Sequence, residues 1–314
     1  MKRLKNFLKI NGFGLLILIV LIGILAIYNM IALKSEVDRI IPNGEMVDLG
    51  DYNVHVYSEG DESKELTLVF LSGSGTVAPV YDFKVLYGLL TDEYRIAVVE
   101  KAGYGYSDIV DVERDIDSMV SELRSALTKA GIPGPYILIP HSMSGLEAIY
   151  WAQNYPEDVK GIVGIDMAVP YSYDDFDFKR TDKLKFWGKL SIKLGLVRIP
   201  GLYPLSKLSL NNDEIEQHKL LMYRNALNPV IMTEGEYLFE NAQTVKQSGE
   251  VSCPILMFAS DGSEVGDLWI SSQKRFAEEN NVDLISYDSG HYLHHYNSNE
   301  MALAIKSFLL DIGE

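Results

Sequence analysis

The sequence predicts an α/β protein: a mostly parallel central sheet with helices on both faces, preceded by one membrane-spanning helix. Three observations carry this. From about residue 46 onward, apolar runs of strand length alternate with segments of helical periodicity, the pattern of a two-sided parallel sheet. One such strand runs straight into a helix through the turn Pro140-His141-Ser142-Met143-Ser144-Gly145. Residues 12–33 are almost wholly apolar, long enough as a helix to cross a hydrocarbon core of about 30 Å.

At the N-terminus, Lys2, Arg3, Lys5 and Lys9 precede the apolar run, whereas Lys34, Glu36, Asp38 and Arg39 follow it and cancel. That asymmetry predicts a cytoplasmic segment 1–11, a single-pass anchor 12–33 and an extracytoplasmic domain at the cell membrane. A secretory signal has an apolar region of about 7–15 residues and a small-x-small cleavage site. This run is longer and has no such site, so the anchor is expected to stay. Only Tyr28 and Asn29 interrupt it, and no polar face exists for a buried core helix. Residues 34–45 read as a linker to the domain 46–314.

Strands are expected at Met46–Leu49 and Tyr52–Ser58, then at Leu66–Leu71, which ends in Ser72-Gly73-Ser74-Gly75. Another spans Tyr94–Val99 and leads into Gly103-Tyr104-Gly105-Tyr106-Ser107. Asp115 opens a helix with Ile116, Val120, Leu123 and Leu127 on one face, stopped by Gly131 and Pro133. The strand Tyr136–Ile139 precedes the serine turn, and Val159–Ile165 ends at Asp166. The pattern breaks over about 171–250, too long for a plain connection and helical in character, which predicts an inserted lid. Strands resume at Ile255–Phe258 and Leu284–Tyr287, around a helix near 267–280. The last helix shows a capping-box spacing, Asn297…Glu300, and an apolar face of Met301, Ala304, Ile305, Phe308 and Ile312.

A formal net charge of -16 over 314 residues argues against a nucleic-acid partner. The single cysteine, Cys253, allows no intramolecular disulfide and no cysteine metal site. No motif implies a metal or an organic cofactor.

The serine turn carries the chemistry. A serine on a sharp strand-to-helix turn is lifted clear of the sheet as a nucleophile, provided that small residues flank it. Here Pro140 and Ser144 take the flanking places, with Gly145 next. The structural alternative for Ser142 is a helix N-cap. Nucleophilic catalysis also needs a base and donors for an oxyanion. His291, in the loop Asp288-Ser289-Gly290-His291 after the last strand, is the candidate base. The remaining histidines, His55, His141, His218, His294 and His295, are assigned to packing or surface roles, His141 with its side chain away from the site. The backbone N–H groups of Met143 and Ser74 are the candidate oxyanion donors. Glycines at 73 and 75 allow the chain to approach closely.

From about Met46 to the end, the chain resembles the α/β-hydrolase fold superfamily. The resemblance rests on Phe70–Gly75, Gly103–Ser107, Pro140–Gly145, Asp166 and Gly290-His291, in that order. It departs from the family at Ser72, which stands where the early turn usually begins His-Gly. It implies a serine hydrolase acting on a small-molecule or lipid-like acyl substrate. Serine at 142 argues against the members with an aspartate nucleophile, the epoxide hydrolases and haloalkane dehalogenases. The family most often supplies the triad acid after the strand at 254–258, where the usual offset falls on Ser263; Asp261 lies two places early and Glu264 one place late. Some lipases of the family instead place it at the tip of the strand after the nucleophile, which is Asp166 here. Asp166, Asp261 and Glu264 all remain candidates.

The expected lid opens with Tyr171, Tyr173, Phe176 and Phe178. It continues with Lys179, Arg180, Lys183, Lys185, Lys189, Lys193 and Arg198 among Leu184, Phe186, Trp187, Leu190, Leu194 and Leu196, opposed only by Asp182. This reads as a helix whose apolar face covers the site and whose lysines are solvated. The competing reading lays it on an anionic membrane surface. Three functional alternatives stand beside ester hydrolysis. One is a peptidase like the proline iminopeptidases, with Glu234, Glu236 or Glu240 holding a substrate amine. Another is acyl transfer. The third is a binding module without catalysis.

Overall fold

The computed structural model describes residues 2–64, 66–174, 178–199 and 208–313, with side chains described except over 2–12 and 178–184. The expectations on Phe176, on the side chains of Lys2, Arg3, Lys5 and Lys9, and on those of 178–184 lie outside the described residues. Two compact units emerge, residues 41–176 with 205–314 and residues 1–40 with 177–204.

The larger unit is built on eight strands: β1 (Glu45–Asp48), β2 (Asn53–Glu59), β3 (Thr67–Leu71), β4 (Arg95–Glu100), β5 (Tyr136–Pro140), β6 (Val159–Ile165), β7 (Ile255–Ala259) and β8 (Asp283–Ser286). Their order across the sheet is β1-β2-β4-β3-β5-β6-β7-β8. β2 pairs antiparallel with β1 and β4, and all other pairs are parallel. The central strands are buried on both sides. Val69, Leu71, Ala97, Val99, Leu138 and Met257 join one core. Leu68, Phe70, Ile96, Val98, Ile137, Ile139 and Phe258 join the other. This is why the strands read as continuous apolar runs rather than as alternation.

The N-terminal helix is α1 (Lys2–Glu36), and two short helices absent from the sequence reading, α2 (Pro79–Asp82) and α3 (Lys84–Tyr87), follow β3. Next come α4 (Ile116–Lys129), α5 (Ser144–Asn154), α6 (Phe178–Lys193), α7 (Asn212–Asn225), α8 (Pro229–Glu234), α9 (Leu238–Gln247), α10 (Asp267–Asn280) and α11 (Ser298–Asp311). The Asp115 side chain accepts the Ser118 N–H at 3.0 Å and so caps α4. The expected capping box at α11 does not form. Asn297 instead donates from its amide to Ser289 Oγ at 2.7 Å, tying the helix start to the His291 loop.

The segment expected to be one lid divides between the units. α7–α9 belong to the sheet unit and are bolted onto the loop after β4. Asn225 donates to the carbonyls of Val77 at 2.9 Å and Gly105 at 2.7 Å, and Asn228 donates to that of Gly103 at 2.7 Å. Gly105 has φ 48°, and a Cβ there would collide with the Glu100 carboxylate. The Gly-Tyr-Gly-Tyr-Ser run is therefore the seat of α7 and of the start of α8. Beneath it, Lys101 Nζ donates to Glu147 at 2.5 Å and Glu234 at 3.1 Å, and the Tyr104 hydroxyl donates to Glu234 at 2.9 Å. All four side chains are buried.

The smaller unit holds α1 and α6. The helical stretch 13–39 is long and apolar enough to cross a membrane, its most apolar 18 residues having a mean hydropathy of 2.8. The helix continues to Glu36 and into a short 3-10 turn, Val37–Arg39, past Leu33, where the linker was expected to begin.

Removing one member of a buried ion cluster strands the others in a medium that solvates them poorly. Lys101→Met should lower stability by about 3–5 kcal/mol, read as a shift of the urea midpoint at unchanged slope.

Candidate active site

β3 and β5 are neighbours, with Leu71 opposite Pro140. The turn after each strand therefore emerges at the same edge of the sheet, at its carboxyl end, where open α/β sheets bind ligands. Ser142 occupies this edge with φ 57°, a left-handed conformation that a serine holds only when its surroundings enforce it. The enforcement is visible. The Ser142 N–H donates to the Ile165 carbonyl at 3.2 Å, and the Ala168 N–H donates to the Ser142 carbonyl at 2.7 Å. Ser144 donates its hydroxyl to the carbonyls of Leu71 at 2.7 Å and His141 at 2.9 Å. A Cβ on Gly145 would run into the Ala168 carbonyl oxygen. The small-residue requirement of this elbow thus falls on Gly145, one place later than usual, while Ser144 stitches the turn to β3.

Ser142 Oγ donates to His291 Nε2 at 2.8 Å. His291 Nδ1–H donates to Asp166 Oδ2 at 2.6 Å, the proton lying on Nδ1 because a carboxylate only accepts. Asp166 is fully buried, with φ 40°. Its second oxygen accepts the Ser260 N–H at 3.1 Å and Gln273 Nε2–H at 3.0 Å. Three donors therefore compensate the buried carboxylate.

Of the three candidate acids, the structure brings only Asp166 to the His291 ring. Asp261 is exposed; its carboxylate accepts the Ser263 N–H at 2.8 Å, and the Ser263 hydroxyl together with that N–H holds it below the usual carboxyl range. Glu264 accepts the His291 backbone N–H at 2.8 Å and so holds the loop rather than the imidazole. Ser74 is exposed in the turn after β3, and the adjacent Gly73 touches Ser142: a Cβ there would lie 2.6 Å from Ser142 Cβ. Among the described residues, neither the Met143 nor the Ser74 N–H has an acceptor. Glu234, offered as a substrate-amine ligand, is fully buried and engaged by Lys101 and Tyr104, which removes it from that role.

Several supporting residues had no signature in the sequence. Ser260 and Gln273 bear on the site through Asp166. His141 does not point away from the site. It is buried, its ring centroid lies 4.7 Å from that of His291, and its Nε2–H donates to the His291 carbonyl at 3.2 Å. Burial, reinforced by His291 and His294, pushes its pKa well below the usual imidazole value, so it stays neutral. Behind it, His294 and His295 donate to the two oxygens of Asp82 at 2.9 and 3.0 Å. Burial opposes charge on Asp82, yet the two imidazoles hold its carboxyl well below the usual range. This contact joins α2, after the β3 turn, to the His291 loop. The ligand atoms of Asp82, His294 and His295 lie within 4.8 Å of one another, which makes them the described residues most able to hold a metal ion. The existing hydrogen bonds already account for all three.

No family model matches the chain. The Bacillus subtilis (strain 168) protein YbdG is 33% identical over 315 residues, covering 96% of each chain. A putative lipase from Acinetobacter baumannii AYE matches the fold with a TM-score of 0.65 at 16% identity, over 90% of this chain and 96% of its own. The haloalkane dehalogenase DatA from Agrobacterium tumefaciens C58 matches with a TM-score of 0.67 at 16% identity, over 86% of this chain and 98% of its own. The chain belongs to the same family as YbdG, and its fold is that of the α/β hydrolases.

Two outcomes follow from these contacts. Gly145→Ala should cost about 1–3 kcal/mol by overpacking against Ala168, measured by chemical denaturation. Asp82→Asn should cost about 1–3 kcal/mol. Because the folded carboxyl is depressed, that difference should be complete from pH 8 to pH 5. It should fade only as pH falls below about 3.9 toward the folded value, as urea titrations across this range would register.

Proposed function

We propose that the protein is a membrane-tethered serine hydrolase that cleaves a carboxylic ester through an acyl-Ser142 intermediate. The single observation that carries this reading is the hydrogen-bonded chain Ser142–His291–Asp166 at the carboxyl edge of the sheet. In the proposed reaction, Ser142 Oγ attacks the substrate carbonyl carbon as its proton passes to His291 Nε2. Asp166 orients the ring and stabilises the imidazolium. The oxyanion is received by the N–H groups of Met143 and Ser74, each such donor being worth about 3–4 kcal/mol in the transition state. Collapse expels the alcohol, which takes the proton from His291. Water, deprotonated by the same nitrogen, then releases the acid.

Of the three carboxylates an aminopeptidase reading would draw on, the buried Glu234 is already committed to Lys101 and Tyr104, which weighs toward ester chemistry, while Glu236 and Glu240 are exposed. A complete relay is likewise unneeded in a binding module without catalysis. In this reading residues 12–33 anchor the chain in the cell membrane with the basic N-terminus inside, which the charge asymmetry supports.

Labelling by a fluorophosphonate probe tests the nucleophile: wild-type protein should label and Ser142→Ala should not. Absence of labelling in folded wild-type protein would reject a serine hydrolase. With a short-chain ester as substrate, Asp166→Asn should lower turnover by about 10⁴-fold, whereas Asp261→Asn should leave it within a few-fold of wild type.

A further inference from the structure

The apolar run of α1 has one fully engaged polar interruption, Asn29, and this side chain is a docking point. Asn29 is buried. Its amide donates to the Ile192 carbonyl at 3.1 Å, and its carbonyl oxygen accepts from Arg198 Nε at 2.6 Å. The two Arg198 NH groups donate to the two carboxylate oxygens of Glu36 at 2.8 and 2.7 Å, a bidentate pair. The guanidinium also lies 5.8 Å from the centre of the Tyr28 ring. Gly195, with φ 77°, sits so close that a Cβ would lie 2.9 Å from Asn29 Cβ. The two residues that break the hydrophobic run thus receive the end of α6 and the segment following it.

This clamp sets the level of α6. Asn29 lies four residues before the end of the apolar run, about 6 Å along the helix axis. A polar side chain inside a span must be satisfied by protein, and here Ile192 and Arg198 do so. The helix held there has, among its described residues, an exposed apolar face. Phe186 and Trp187 are 62% and 64% exposed, with Leu190 beside them at helical spacing. Lys185, Lys189 and Lys193 form an adjacent stripe at intervals of four. Lysine stems of this kind lie along apolar surface while their heads reach toward phosphate. The exposed apolar surface is continuous in kind with that of α1, whose Ile24, Ile27, Tyr28 and Ile31 are more than half exposed.

We propose that α6 lies in the interfacial layer of the bilayer that α1 crosses, at the C-terminal end of the span. Phe186 and Trp187 insert among the lipids, and Arg198 locks the helix there through Asn29 and Glu36. The occupant of this face is the lipid leaflet itself. The proposal rests on α1 as a membrane span and deepens the reading of the enzyme as tethered: the anchor fixes a second membrane-contacting element as well as attaching the chain.

The test uses tryptophan fluorescence of the full chain, reconstituted into vesicles of phosphatidylcholine and phosphatidylglycerol brominated near the headgroup end of the acyl chains. Trp151 and Trp269 are 0% and 9% exposed within the sheet unit, so Trp187 should supply the quenchable emission. Wild-type emission should fall in brominated relative to ordinary vesicles, and Trp187→Phe should lose that fall. Equal responses of wild type and Trp187→Phe, with both proteins retained in the vesicles, would overturn the placement of α6. Arg198→Ala should reduce the Trp187 quenching at least twofold; undiminished quenching would overturn the clamp. Failure of wild-type protein to float with vesicles after an alkaline carbonate wash would instead overturn the span on which the proposal stands.

Discussion

The parallel pairing of β3 with β5 is the constraint on which the site depends. Two segments about seventy residues apart become hydrogen-bonded neighbours ending at one level, Leu71 opposite Pro140. Everything at the carboxyl edge follows from that register. Gly73 can touch Ser142 only because the two turns leave the sheet side by side, and Ser144 can reach the Leu71 carbonyl for the same reason. A slip of one residue would exchange the two faces of the strand, burying in one core the side chains that now fill the other. The two cores therefore hold the geometry of the turns as well as the stability of the fold.

Strain and burial are concentrated at the same edge. Ser142 and Asp166, at the tips of adjacent strands, both have positive φ. Such conformations persist where the surroundings over-determine them. Here the Ile165 carbonyl, the Ala168 N–H, the Ser260 N–H and the Gln273 amide do so. A second layer lies behind. His141 packs against His291 and bonds to its carbonyl, and Asp82 ties the segment after β3 to the histidine loop. The loop after β4 takes the other side, where two glycines make room for Glu100 and for α8. The Lys101–Glu147–Glu234 cluster anchors that packing with charges. Each of these arrangements is intolerant of partial loss, because a buried polar group deprived of its partner costs more than the pair contributes.

Strands, the elbow, the β3 turn and the late histidine were legible because each is encoded within a few residues: an apolar run, glycines at a turn, a serine between strand and helix. The same local reading misplaced what depends on distant partners. Asn297 has the spacing of a capping box yet bonds to Ser289. Glu234 looks like a free carboxylate in a lid and is the buried partner of Lys101. The segment 171–250 reads as one insertion, but its first helix clusters with the N-terminal helix and the rest with the sheet unit. Arg198 explains why an apolar span should contain Asn29, and nothing within the span could have indicated that.

By itself the sequence determined that Ser142 stands on a strand-to-helix turn and that His291 follows the last strand, since both positions are set by neighbouring residues. It put Asp166 ahead of Asp261 and Glu264 without deciding among them, because the loops after β6, β7 and β8 lie next to one another and each can approach the imidazole. Only the tertiary structure decided which carboxylate reaches the ring. Ser260 and Gln273 converge on Asp166 and compensate its burial beneath His291. Asp261 has turned to its own loop in solvent, and Glu264 to a backbone N–H. The difference lies in solvation and hydrogen-bond partners contributed by α10 and the β7 loop, which no local pattern contains.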